Sequence, residues 1–158
     1  MTRKKPSSAL IKKLLKENER MARVPQVGKD FIAFKKVIVP DQNGRRKNVA
    51  ILTLYVPADA KRRNGNSRHD KLRVSAAFVV KAESRSGNPI SEKEFFPGHT
   101  YNIIYSQLNK KKKSAEGKFR WVVGKWHKPA YKFAAAAGQC SHGLHAFISK
   151  ASAKKYYL

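Results

Sequence analysis

Of 158 residues, 35 are lysine or arginine and only 10 are aspartate or glutamate, a formal net charge of +25. A small soluble domain typically carries a net charge of magnitude about 2–8, so this excess rules out a charge-neutral surface. It calls for an anionic partner: a nucleic acid, an anionic membrane face or acidic proteins. Aromatic residues make up 10% of the chain and one cysteine is present, which excludes both a wholly disordered polycation and a disulfide framework.

Ser7 and Ser8 precede a run in which Leu10, Leu14 and Met21, with Ile11, Leu15 and Ala22 beside them, share one stripe at helical spacing. Lysines fill the opposite side. The spacing predicts a basic amphipathic helix that docks its apolar face on its own domain. From Asp30 the period changes to two: Phe31 to Val39 reads as a strand, a turn with the Asn43-Gly44 signal follows, and Asn48 to Val56 closes a hairpin.

Ala58 to Lys71 is polar and basic and reads as a loop, whereas Leu72 to Lys81 alternates with Leu72, Val74, Ala76, Phe78 and Val80 on one face. A turn at Ser86-Gly87-Asn88-Pro89 follows. Thr100 to Leu108 and Phe119 to Trp126 are further strands, joined by a charged tip over residues 109–117. The alanines at 134–137 read as one helical turn, Leu144 to Ile148 as a last strand, and Ser149 as the cap of a closing helix through Tyr157. The sum is an α+β fold with a mainly antiparallel sheet of about five or six strands and a helix near each end. Residues 1–29 form a basic arm with the amphipathic helix, and residues 30–158 the β-rich domain.

Catalytic and metal chemistry finds little support. Glu17 with Glu19 and Glu92 with Glu94 sit on a charged helix face and a loop, where no buried acid–base pair is expected. No phosphate loop, dinucleotide-binding turn or nucleophile elbow occurs. Cys140, His142 and His145, with His127 as a possible fourth ligand, lack a recurring zinc spacing. A Cys140–His145 nucleophile pair lacks an orienting carboxylate. The expectation is no catalytic residue, no metal and no cofactor. No apolar run approaches the ~20 residues of a bilayer span, so no transmembrane segment is expected.

The basic clusters carry more information. Arg3-Lys4-Lys5, Arg45-Arg46-Lys47, Lys61-Arg62-Arg63 and Lys110-Lys111-Lys112-Lys113 all fall in predicted tails or turns. Turns at one end of a sheet can converge on a phosphate backbone or an acidic patch, which makes these residues the candidate contacts to an anionic partner.

The segments Val56-Pro57-Ala58-Asp59-Ala60-Lys61-Arg62, Lys71-Leu72-Arg73-Val74-Ser75-Ala76-Ala77 and Cys140-Ser141-His142-Gly143-Leu144-His145-Ala146-Phe147-Ile148, followed by Ala153 and Tyr156, form a recognisable series, with Phe31 to Val37 as its opening. Together they resemble an uncharacterised domain recurrent in giant DNA viruses of eukaryotes, often attached there to pentapeptide repeats. The resemblance spans roughly residues 30–157. Leu72 stands where that domain usually has a cysteine, Ala146 replaces a phenylalanine, and Ala151 and Ser152 replace acids. It implies a shared fold and a viral origin more than a reaction. Pro57, Asp59, Arg62, Arg73, Cys140, Gly143, His145, Phe147 and Tyr156 are its motif positions here, all with structural roles expected.

With the charge, the resemblance leads to the expectation of a non-enzymatic minor capsid or internal virion protein. It would be made in the host cytoplasm and reside in the virion. Its partners would be capsid or other virion proteins, or else DNA or an anionic inner-membrane face. The rival expectation is a nucleic-acid-binding protein concerned with genome packaging or RNA.

Overall fold

The computed structural model describes residues 3–39, 48–64, 71–97, 119–129 and 143–156. Helix α1 (Ser8–Asn18) begins where Ser7 accepts the Leu10 N–H at 3.1 Å, a serine N-cap. It ends earlier than its apolar stripe suggests: the chain closes in three-residue turns, Arg20 N–H to Glu17 O and Met21 N–H to Asn18 O, both at 3.1 Å, and the Asn18 side-chain Nδ2 ties the helix end to the Ile32 and Ile148 carbonyls, both at 2.9 Å. Met21 and Ala22 therefore lie beyond the helix. Ile11 and Leu14 are its buried residues.

Strands β1 (Phe31–Val39) and β2 (Asn48–Val56) pair antiparallel over their whole length, from Phe31 opposite Val56 to Val39 opposite Asn48. Next come β3 (Arg62–Asn64), β4 (Lys71–Val74), β5 (Ala77–Ser84), β6 (Glu94–Phe95), β7 (Trp121–Val122), β8 (Trp126–His127) and β9 (Leu144–Phe147). Helix α2 (Lys150–Lys155) closes the described chain, capped by Ser149 accepting the Ser152 N–H at 3.0 Å. The fold is thus α+β with a mainly antiparallel sheet.

The main sheet has seven strands in the order β3-β4-β9-β1-β2-β5-β8, and β6 pairs with β7 apart from it. That exceeds the five or six strands expected. Strands of two or three residues are too short to show a period, which is why β3 reads as a loop in the sequence and β6 is not anticipated. The run Phe119 to Trp126 is divided too: Gly124, at φ +82°, turns the chain between β7 and β8 and sends each to a different sheet.

The largest correction concerns Leu72 to Lys81. Only Ser75 and Ala76 separate β4 from β5, a reach of about 11 Å at most. Yet β9, β1 and β2 lie between them in the sheet, about 19 Å if it were flat. The sheet must therefore curl into a barrel-like wall in which β4 and β5 are two halves of one bent run. Pairing switches from β9 to β2 at the bend. Leu72, Val74 and Ala76 face inward as expected, but the bend shifts the period, so Ala77 and Val79 face inward and Phe78 and Val80 outward.

Two apolar layers result. Phe31, Ala33, Val37, Leu52, Leu54, Val56, Leu72, Phe95, Trp121 and Leu144 fill the interior of the curl. On its outer face, Ile32, Phe34, Ile51, Tyr55, Phe78 and Phe147 meet Ile11 and Leu14 of α1 and Ala153 of α2. β1 is consequently buried along its whole length. Fully burying one such aliphatic or aromatic side chain contributes roughly 1.5–3 kcal/mol, so β1 draws on both layers. The predicted turn after Val39, the strand Thr100 to Leu108, the 109–117 tip and the alanine turn at 134–137 fall outside the described residues.

Candidate anion-contact surface

The chain leaves β2 at Val56 and turns through Pro57 to Ala60, with the Ala60 N–H returning to the Pro57 carbonyl at 3.1 Å. The same turn meets the segment before β1, where the Gly28 N–H reaches the Ala58 carbonyl at 2.8 Å. Arg62 holds both segments together. Its Nε donates to Ala60 O at 3.1 Å, and its Nη2 donates to Pro57 O at 2.8 Å and Ala58 O at 3.2 Å. Its Nη1 donates to Lys29 O at 2.6 Å, Gln26 O at 3.2 Å and Pro25 O at 3.4 Å. The guanidinium lies 5.0 Å over the Phe31 ring. Five N–H donors are all that an arginine has, and here they are directed at carbonyls. Arg62 is a staple, with no donor left for a phosphate.

Asp59, in the middle of the same turn, points to solvent and takes Arg3. Their Nη1–Oδ1 distance is 2.7 Å, with the Asp59 side chain 70% exposed. The Arg3 guanidinium sits 5.4 Å over the Trp126 ring, and that indole packs edge-on against Tyr55 and Phe78. The hydrogen bond from Arg3 holds the Asp59 carboxyl below the usual carboxylate range. Burial and the hydrogen bond it donates to Asp30 push the nearby Tyr55 hydroxyl up to about 12.

Close in sequence to the residues of this clamp and staple, Lys4, Lys5, Lys29, Lys61 and Arg63 are exposed, and so are Lys12, Lys13 and Lys16 of α1. Helical spacing puts these three lysines opposite the buried Ile11 and Leu14, the polar side that the apolar stripe predicts. Arg45, Arg46, Lys47, Lys110, Lys111, Lys112, Lys113 and Cys140 lie outside the described residues.

Other motif residues are built into the wall. Arg73 and His145 are cross-strand neighbours on β4 and β9, and both are buried. Phe147 packs on Tyr156 with ring centroids 5.1 Å apart, and Lys36 donates to the Lys154 and Tyr156 carbonyls, both at 3.0 Å, closing the end of α2. Gly143, at φ +158°, is almost extended. His127 accepts the Val122 N–H on Nε2 at 3.0 Å and packs at a tilt against Trp121, ring centroids 5.2 Å apart, while burial pushes its pKa down. Among the described residues no three His, Cys, Asp or Glu side chains converge as metal ligands.

One cation was not anticipated at all. Lys35 faces the interior, 5% exposed, with Nζ 5.9 Å over the Trp121 ring. Burial, reinforced by Lys71, pushes its pKa down to about 7.

With the staple and the clamp located, comparison with known families adds one result: a family of unknown function, DUF5758, matches residues 20–112. The chain belongs to that family. The match contains the Arg62 staple with its carbonyl acceptors and β1 to β6, whereas Arg3, α1, β7 to β9 and α2 lie outside it. No curated protein matches the chain, and no solved structure does. No described helix is long and apolar enough to cross a membrane.

Proposed function

We propose that this DUF5758 protein is a non-enzymatic structural component of a large DNA virus particle, a minor capsid or internal virion protein, holding anionic partners through its basic arm and loops. The observation that carries the anionic partner is the mismatch between charge and internal pairing. The chain has 35 lysines and arginines against 10 aspartates and glutamates, so even complete one-to-one pairing leaves +25; Arg3–Asp59 and Lys150–Glu83 are two such pairs among the described residues. The remaining positive potential acts outward, where it steers and holds an anion. The viral setting is supported by the resemblance in the Val56–Arg62, Lys71–Val74 and Cys140–Phe147 segments. Mass spectrometry of purified particles of the encoding virus, with copy number, is the test. Stoichiometric presence is expected, and absence from the particle overturns the assignment.

A second reading, a nucleic-acid-binding protein for genome packaging or RNA, is favoured by the solvent-facing lysines of α1. It needs no particle, so protein missing from virions but bound to nucleic acid in infected cells would select it.

A further inference from the structure

The exposed side of α1 carries Lys12, Lys13 and Lys16 with a single acid, Glu17, and the arm before it carries Lys4 and Lys5. The apolar side of this helix is already used, since Ile11 and Leu14 are buried against Ile32, Phe34, Phe147 and Ala153. Insertion into a lipid interface needs a free apolar face, and none remains here. A protein partner normally needs an apolar centre within its contact patch. Among the described residues the exposed large hydrophobic side chain is Val27, in the loop before β1. A surface of separate point charges without an apolar centre matches a phosphate backbone, which is bound by charge neutralisation and counterion release.

The clamp sits at the root of this surface. Arg3 is held by one solvent-exposed carboxylate and one indole face, and from there the chain runs through Lys4, Lys5 and Pro6 into the Ser7 cap. An exposed ion pair of this kind is weak and screened by salt. A phosphate backbone offers Arg3 the same chemistry as Asp59 at higher charge density. We infer that the arm and the solvent side of α1 form a contact surface for a nucleic-acid phosphate backbone, and that Asp59 gates it by competing with phosphate for Arg3. The inference rests on the basic arm being an anion-contact element, as proposed above, and adds the partner and the gate.

The test is binding of the full-length protein to a 20-base-pair duplex DNA across a salt series from ~50 mM upward. Exchanging Lys12, Lys13 and Lys16 for Gln together should weaken binding and make the log–log salt slope shallower by up to about 2.7, one 0.9 step per lost phosphate contact. Asp59→Asn should bind about two- to five-fold tighter, the equivalent of one surface ion pair, with a slope steeper by about 0.9. In the same variant the Trp126 indole N–H resonance should move and trypsin should cut after Arg3 and Lys4 faster, reporting the open clamp directly. Wild-type protein that binds no DNA at ~50 mM salt, or binds anionic phosphatidylserine vesicles instead, overturns the phosphate-backbone surface. A triple variant that binds as wild type does the same. An Asp59→Asn protein with an open clamp but unaltered affinity and slope overturns the gate while leaving the surface standing.

Discussion

Arg62 and Arg3 both meet the turn at residues 57–60. Arg62 reaches six backbone carbonyls across two segments and covers Phe31, while Arg3 reaches one exposed carboxylate and one indole. The side chain is the same and the charge is the same. What differs is how many partners each has and how much water surrounds them, and those decide whether a cation builds the fold or remains available to something else. The inward set also includes Lys36, which closes α2, and Lys35, which faces the core. Part of the positive charge is therefore committed to architecture before any partner arrives.

The largest effect is expected at Lys35. Its pKa falls from 10.5 in an unfolded chain to about 7 in the fold. Between those values the unfolded chain binds more protons than the folded one, so this residue makes stability rise with pH across that window. Below pH 7 its full penalty is present, and above about 10.5 it vanishes. Lys35→Met should therefore be more stable than wild type at pH 6 by up to about 5 kcal/mol. The advantage should shrink steadily towards pH 10. Equal urea midpoints for the two proteins at pH 6 would mean that Lys35 has found an acceptor, and the inward set would lose its most costly member.

Arg62→Met should be the next largest effect, with the opposite sign. It leaves the carbonyls of residues 57–60 and 25–29 to be resolvated, and we expect a loss of about 3 kcal/mol in denaturant unfolding at unaltered m-value. Arg62→Lys should recover only part of it, because a single ammonium cannot span both segments as a planar fork does. Full recovery by lysine would make Arg62 a general charge instead of a staple, and erase its contrast with Arg3.

What the sequence discloses follows the length scale of the signal. The nine-residue period-two runs of β1 and β2 are legible to the residue, and Ser7 and Ser149 mark both helix starts through local hydrogen bonds. Strands of two residues have no period to read, and the bend at Ser75–Ala76 shows itself only once β9, β1 and β2 have taken their places between β4 and β5. For the candidate site the basic runs group Arg62 with Arg3, Lys4, Lys5 and Lys61 as outward contacts, although the Arg62 donors turn inward. The two lysines of β1 illustrate the same limit. Alternation puts Lys35 and Lys36 on opposite faces, but the sequence does not reveal that both faces are covered, one by Trp121 and the other by α2.

The smallest effect is expected at the Arg3–Asp59 pair. Breaking the Arg3–Asp59 pair should scarcely alter global stability, because an exposed pair contributes about 0–1 kcal/mol and the arm it holds buries little. Asp59→Asn should therefore unfold within about 1 kcal/mol of wild type, in contrast to Arg62→Met at the same turn. Acid should act on the clamp in the same way. The folded-state pKa of Asp59 lies below its ordinary value of 3.8, so the contribution of the pair is present above that value and is lost as the pH falls through the depressed one. The Trp126 indole resonance of the wild-type protein should move towards its Asp59→Asn position as the pH is lowered through that range, and should already do so at neutral pH in ~1 M salt, where screening is strong. A resonance that ignores both acid and salt would place Arg3 with Arg62 among the architectural cations, and would remove the arm from the set available to a partner.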